Sequence, residues 1–203
     1  MPRGDESVRT GTRADFLIVG LGNPGAEYDG TRHNVGADAV RLVAARFGQT
    51  LRVESSLRAS HATAMIGDAR CLLAVPTTYM NESGAAVKPL LRRAGIETMA
   101  NLIIVHDELD LDPGVVRVKV GGGLAGHNGL RSITGVLATQ DYLRVRLGIG
   151  KPPSKDHGAK HVLTKVSKAA RVDLDLATAL AADAVEAVVA AGVEAAMGTF
   201  NAR

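Results

Sequence analysis

Phe16 to Gly36 reads FLIVGLGNPGAEYDGTRHNVG, and its two halves point to the fold. Phe16-Leu17-Ile18-Val19 is a short apolar run of the kind found in buried strands. Gly20, Gly22, Pro24 and Gly25 then permit or impose sharp turns. No apolar helix follows at once. A polar loop carrying Asn23, Tyr28, Arg32, His33 and Asn34 comes first, and helical periodicity begins only after His33. A strand ending in such a loop builds a site at its carboxyl end, where α/β sheets place ligands.

Gly20, Gly22 and Gly25 also satisfy G-x-G-x-x-G, the dinucleotide fingerprint. That fingerprint needs a helix to start within the glycines so that its N-terminus meets the pyrophosphate. Here Pro24 occupies the turn. About twenty residues on, where a second strand should end in an acidic ribose ligand, Val40 to Phe47 continues a helix. A nicotinamide oxidoreductase is therefore disfavoured.

Working outward, strands are expected near 16–19, 50–54, 60–66, 70–75, 101–106, 115–120 and 143–149. Helices are expected near 34–47, 82–94, 129–138 and 171–191, with Gly48, Gly95 and Gly192 stopping three of them. Gly67-Asp68 between apolar runs predicts a hairpin. The expected architecture is a single-domain three-layer α/β/α sandwich with a mixed, mostly parallel twisted sheet. Residues 1–14, MPRGDESVRTGTRA, read as a disordered tail without the apolar core of a secretory signal, and 15–203 as the domain. Lys151 to His157 is the most linker-like internal stretch.

The chain has 203 residues, 46% of them hydrophobic and 22% charged, the balance of a soluble globular protein. No apolar run approaches the length needed to span a bilayer. The single cysteine, Cys71, lies in Cys71-Leu72-Leu73-Ala74-Val75 and reads as core. The expected compartment is the cytoplasm. A net charge of +3 gives weak support for a polyanionic partner. Val115 to Val120 and Tyr142 to Leu147 alternate, so Arg117 and Lys119 share one face of their strand, and Arg144 and Arg146 one face of theirs. These faces are either solvated or a phosphate-binding patch.

Three further clusters follow strands: Pro76-Thr77-Thr78-Tyr79-Met80-Asn81, His106-Asp107-Glu108-Leu109-Asp110, and Gly121 to Gly129 with His127 and Asn128. With Asn23 and His33 they supply an imidazole, a carboxylate to fix its tautomer, and three carboxamides suited to peptide groups or an oxyanion. Metal binding competes for the same residues, but H-E-x-x-H and C-x-x-C spacings are absent, and His106 and Asp107 should point to opposite faces of their strand.

The segments GLGNPGAEYDGTRHNVG, PTTYMNESG, HDELDLDPG, KVGGGLAGHNGLRS and YLRVRLGIGKPP together resemble bacterial-type peptidyl-tRNA hydrolase, in the family's order and from about Phe16 to the final helix. The resemblance implies cleavage of the ester between a peptide and the 3′ ribose of tRNA, without metal or cofactor, with peptidyl-tRNA as the macromolecular partner and a monomeric protein away from membranes. It implies His33 as catalytic base, Asp107 as its support and Asn23 as the amide separating blocked from free aminoacyl-tRNA. Tyr28, Tyr79, Asn81 and Asn128 match positions that bind tRNA or the peptidyl end. Met80 and His127 line the cleft, and Lys119 and Arg146 match a clamp for the tRNA 5′-phosphate. The chain departs from the family at Leu124, usually polar, and Ala125, usually Gly. A positive φ at position 125 would strain an alanine. An RNA-binding relative without hydrolase activity is the alternative reading, and the retained His33 and Asp107 weigh against it.

Overall fold

The computed structural model describes residues 13–152, 154 and 157–202. Among the described residues, seven strands form one mixed sheet: β1 Phe16–Gly20, β2 Arg52–Glu54, β3 Ala59–Ile66, β4 Ala69–Pro76, β5 Leu102–Glu108, β6 Val116–Val120 and β7 Leu143–Gly148, in the order β2-β3-β4-β1-β5-β7-β6. The expected weighting toward parallel pairing holds only at the centre. β1 runs parallel to β4 and β5, and β5 to β7, while β2–β3, β3–β4 and β6–β7 are antiparallel, three of each. The flanks reverse because the chain folds back there: Gly67 at φ +59° turns β3 directly into β4, and β6 closes the opposite edge against β7.

Helices α1 Val35–Arg46, α5 Lys168–Ala191 and α6 Val193–Phe200 cover one face, and α2 Ser83–Ala94 and α3 Asn128–Leu137 the other; α4 Gly158–Leu163 is a short helix. Strand alternation sorts the core between these layers. Ile18, Ile103, Val105, Val145 and Leu147 pack toward α1, α5 and α6, and Leu17, Val19, Leu102 and Ile104 toward α2 and α3. Each such side chain removed from water is worth roughly 1.5–3 kcal/mol. Cys71 is part of this core, where burial, helped by the Asp15 charge, pushes its thiol up to about 12.

Gly20, at the end of β1, and Gly36, in the first turn of α1, are there for close packing. A Cβ on Gly20 would stand 2.3 Å from Gly36 O, and one on Gly36 2.2 Å from Val105 O. Glycine at both positions lets α1 settle directly onto β1 and β5, and this carries the preceding turn, Arg32–Asn34, to the carboxyl end of the sheet.

Two helices escaped the sequence reading. α4 is six residues long with no periodic face, and α6 begins at Val193, directly after Gly192, the single residue that separates it from α5 and where a stop was expected. Of the expected tail, residues 1–14, only the inner end is among the described residues. Ala14 is buried and gives its N–H to Ala94 O at 2.8 Å; residues 1–12 lie outside the described residues, as do 153, 155 and 156 of the linker-like stretch. Among the described residues, no helix is long and apolar enough to cross a membrane.

Candidate active site

β1, β4 and β5 are parallel neighbours, so their carboxyl ends open on the same edge. His33 arrives on the turn after β1, Asp107 at the end of β5, and His127 as the residue capping α3. His33 Nδ1 stands 2.9 Å from Asp107 Oδ1. His127 Nε2 stands 2.9 Å from the same oxygen. The other nitrogen of His127, Nδ1, accepts from the backbone N–H of Gly129 at 3.1 Å and of Leu130 at 3.4 Å. An acceptor cannot carry a proton, so this pattern assigns the His127 proton to Nε2, where it donates to Asp107. With its own Nδ1–H also given to Asp107, His33 keeps Nε2 as its basic nitrogen.

Electrostatics follow from burial and these contacts. Burial opposes charge on Asp107, yet His33 and His127 hold its carboxyl below the usual carboxylate range. Burial alone would depress the His33 imidazole, but the Asp107 charge and hydrogen bond outweigh it and raise it above its ordinary value. His106 behaves oppositely. It lies on the other face of β5, as strand parity predicts, and its Nδ1 donates to Asp107 O at 2.7 Å. Burial, reinforced by neighbouring His127, pushes its imidazole down to about 3. It is a neutral wall, its ring edge-on to that of His127 at 5.1 Å.

A cavity of about 270 Å³ opens on this centre. His33, Asp107, His127 and Asn128 line it with Glu108, Leu109, Ala125 and Gly126, and α4 lends Gly158, Ala159 and Val162. Ala125 does adopt a positive φ, +47°, so the strain anticipated for an alanine there is present. Leu124 is half-buried against the α2–α3 core, and its carbonyl accepts from His127 N at 2.8 Å. The loop thus delivers His127 and Asn128 to the cavity despite both departures.

The other predicted residues stand outside that lining. Asn23 Oδ1 accepts from Met80 N at 2.8 Å, tying the first loop to the turn that carries Met80 and the exposed Asn81. Met80 is buried; a Cβ on Gly129 would meet its Sδ at 2.6 Å and His127 Cε1 at 3.1 Å. It therefore joins this turn to the His127 loop. Tyr28 and Tyr79 meet edge to face with ring centroids 6.4 Å apart, and Tyr79 is exposed. Asn128 is exposed, its Oδ1 accepting from Arg131 at 3.1 Å.

The basic faces of β6 and β7 are less uniform than their alternation implies. Pairing sets Arg117 opposite Arg146 and Lys119 opposite Arg144. Lys119 is exposed. Arg146 gives Nε and Nη2 to Glu108 Oε2 at 3.1 and 3.0 Å. Arg144 is buried and donates to the carbonyls of Gly122, Gly123 and Gln140, where it fastens the glycine loop. Parity assigned Arg144 and Arg146 to one face and could not separate these uses. Sequence reasoning also passed over Asn34, which is buried and clamps Asn23 by accepting from its N–H at 2.8 Å and donating to its carbonyl at 3.0 Å. Its place in the polar loop beside His33 was the available signal.

His33, Asp107 and His127 also bring ligand-type atoms within 4.8 Å of one another. A metal on His127 Nε2 would drive the ring proton to Nδ1, against the two backbone N–H groups already pointing there. The trio is better arranged to share protons than to hold an ion.

A basic imidazole backed by a buried carboxylate, beside carboxamides at the carboxyl edge of a mixed α/β sheet, is an arrangement able to take a proton from water. The sequence profile described as Peptidyl-tRNA hydrolase matches residues 17–203. The peptidyl-tRNA hydrolase of Cutibacterium acnes is 46% identical over 92% of this chain and 98% of its own. That of Rhodococcus erythropolis is 48% identical over 91% and 97%. Among solved structures, the peptidyl-tRNA hydrolase from Acinetobacter baumannii superposes with a TM-score of 0.87 at 40% identity, covering 94% of this chain and 97% of that one. The chain belongs to the peptidyl-tRNA hydrolase family.

Proposed function

We propose that the chain hydrolyses the ester joining a peptide, or an N-blocked aminoacyl group, to the 3′ ribose of tRNA, with His33 Nε2 taking a proton from the attacking water. The observation that carries this reading is the 2.9 Å contact between His33 Nδ1 and Asp107 Oδ1 in the cavity wall. It fixes the tautomer, and the buried carboxylate favours the imidazolium that forms as water is deprotonated. The proton then passes to the departing ribose oxygen, giving free tRNA and a peptide acid. An ester is labile enough that no covalent nucleophile or cofactor is required, and the reaction is metal-independent.

Asn23, its Oδ1 engaged by Met80 N, keeps its amide N–H groups for the acylated end of the substrate. Asn81 and Asn128 flank the peptide and the developing oxyanion, and Tyr28 and Tyr79 present an aromatic edge to the tRNA end. A free aminoacyl-tRNA would bring a charged ammonium to these groups at a desolvation cost. Lys119 and Arg146 hold the 5′-phosphate through charge, which suits an enzyme that accepts many tRNAs. The protein acts as a monomer of one domain, residues 15–203, in the cytoplasm.

Release of tRNA from N-acetyl-aminoacyl-tRNA by wild type and His33→Ala tests the reading. Loss of the base should lower kcat by roughly 10²–10⁴-fold with the fold and most tRNA affinity retained. Near-normal turnover by the variant would remove His33 from the chemistry.

A further inference from the structure

His127 belongs to two networks at once. Through Nδ1 it caps α3, accepting from Gly129 N and Leu130 N. Through Nε2 it reaches Asp107 Oδ1, the oxygen that also takes His33 Nδ1, at 2.9 Å in both cases. Its side chain is 7% exposed, so water does not compete effectively for either contact. Protonating Nδ1 would set an N–H against two N–H donors, at the positive end of a helix dipole. The two backbone donors therefore fix the tautomer, with the proton directed at Asp107 on Nε2.

We propose that His127 is a positioning residue for ester cleavage: locked in one tautomer by the N-terminus of α3, it places a second N–H on Asp107 Oδ1 and so sets the carboxylate that orients His33. This rests on His33 being the base. The consequence is electrostatic as well as geometric. Two donors divide the charge of one oxygen, so His127 limits how strongly Asp107 holds a proton on His33, keeping the base available near neutral pH. The other groups around His33 do not do this. Glu108 lines the cavity but is paired with Arg146. His106 is neutral on the far face of β5. α4 faces the cavity with Gly158, Ala159 and Val162, none of them charged. Arg32, beside His33, directs Nη1 toward His161 O at 3.4 Å.

Two substitutions separate this role from the helix cap. In His127→Asn the carboxamide oxygen takes the place of Nδ1 and continues to cap α3, but nothing reaches Asp107. In His127→Gln an N–H reaches Asp107 while the cap is lost. The measurement is kcat/KM for N-acetyl-aminoacyl-tRNA from pH 5 to 9, with Tm beside it. For His127→Asn the expected result is a Tm near wild type, a plateau lowered about tenfold, the order of one hydrogen bond to a charge, and an acid limb moved upward by about half a pH unit or more. The limb rises because Asp107, relieved of one donor, holds the His33 proton more tightly. His127→Gln should return the limb to its wild-type position at a lower Tm. An unmoved limb in His127→Asn overturns the proposal, whatever the rate, and so does a Gln variant whose limb stays displaced. If His33→Ala retained turnover, the base assignment itself would fall; if it did not, and His127→Asn behaved as wild type, only the role of His127 would.

Discussion

Asp107→Asn separates charge from geometry at this centre with unusual clarity, because both imidazoles donate to one oxygen. His33 Nδ1 and His127 Nε2 each lie 2.9 Å from Oδ1. In the variant the carboxamide must turn its own Oδ1 toward them, since the opposite orientation would set its N–H groups against two ring N–H groups. The His33 tautomer is therefore kept and only the charge is removed. A hydrogen bond to a charged partner is worth about 1.5–3 kcal/mol and to a neutral one about 0.5–1.5, so His33 loses about 1–2 kcal/mol of support for its protonated form. At about 1.4 kcal/mol per pH unit, its imidazole should fall by roughly one unit. The sign follows from the raised value in the wild type: without the carboxylate the ring sheds its proton at lower pH. The acid limb of kcat/KM should accordingly move down by about one unit, opposite to the shift expected for His127→Asn. The plateau should drop by up to about tenfold, the ceiling for a base weakened by one unit, and so by less than the loss in His33→Ala. The assay is release of tRNA from N-acetyl-aminoacyl-tRNA across pH 5–9 for both variants. Asp107→Asn as inactive as His33→Ala, or with an unmoved acid limb, would refute the reasoning and point to a lost tautomer or to a direct proton-transfer role for Asp107.

Asn23→Ala should reduce the ratio of kcat/KM for N-acetyl-aminoacyl-tRNA over free aminoacyl-tRNA; an unchanged ratio would reject Asn23 as the discriminating amide. Lys119→Ala should raise KM for full-length substrate with kcat nearly constant and lower the log–log salt slope by about 0.7–0.9, the value of one phosphate contact, with no effect on a short substrate lacking the 5′-phosphate. Arg146→Ala should show the same KM effect together with a lower Tm, because Glu108, only 6% exposed, loses its partner; equal impairment of either variant on the short substrate would place that residue outside a phosphate clamp. Treatment with EDTA should leave cleavage of a blocked substrate unchanged, and activity lost to the chelator and restored by a divalent ion would establish a metal requirement.

Local pattern was enough wherever the determining interaction lay close along the chain. The apolar runs gave the strands, since a buried strand reveals itself through its own side chains. Gly67-Asp68 gave the hairpin, since the turn depends on those two residues. Parity sent His106 and Asp107 to opposite faces of β5, as observed. Five motifs in order carried the family, and with it the residues to examine. What the chain could not reveal by itself were contacts between segments far apart in sequence. Asp107 meets His33 across 74 positions and His127 across 20, and the convergence of both rings on one oxygen depends on how α1 and α3 dock on the sheet. Arg144 and Arg146 look alike in an alternating strand, yet one is spent on glycine-loop carbonyls and the other on Glu108, because only the docked loop supplies the carbonyls. The antiparallel pairings of β2 with β3 and of β6 with β7 belong to the same category, since those strand neighbours are set by how the whole sheet assembles. The sequence by itself determined which chemical groups the site contains; the tertiary structure decided which of them share a proton.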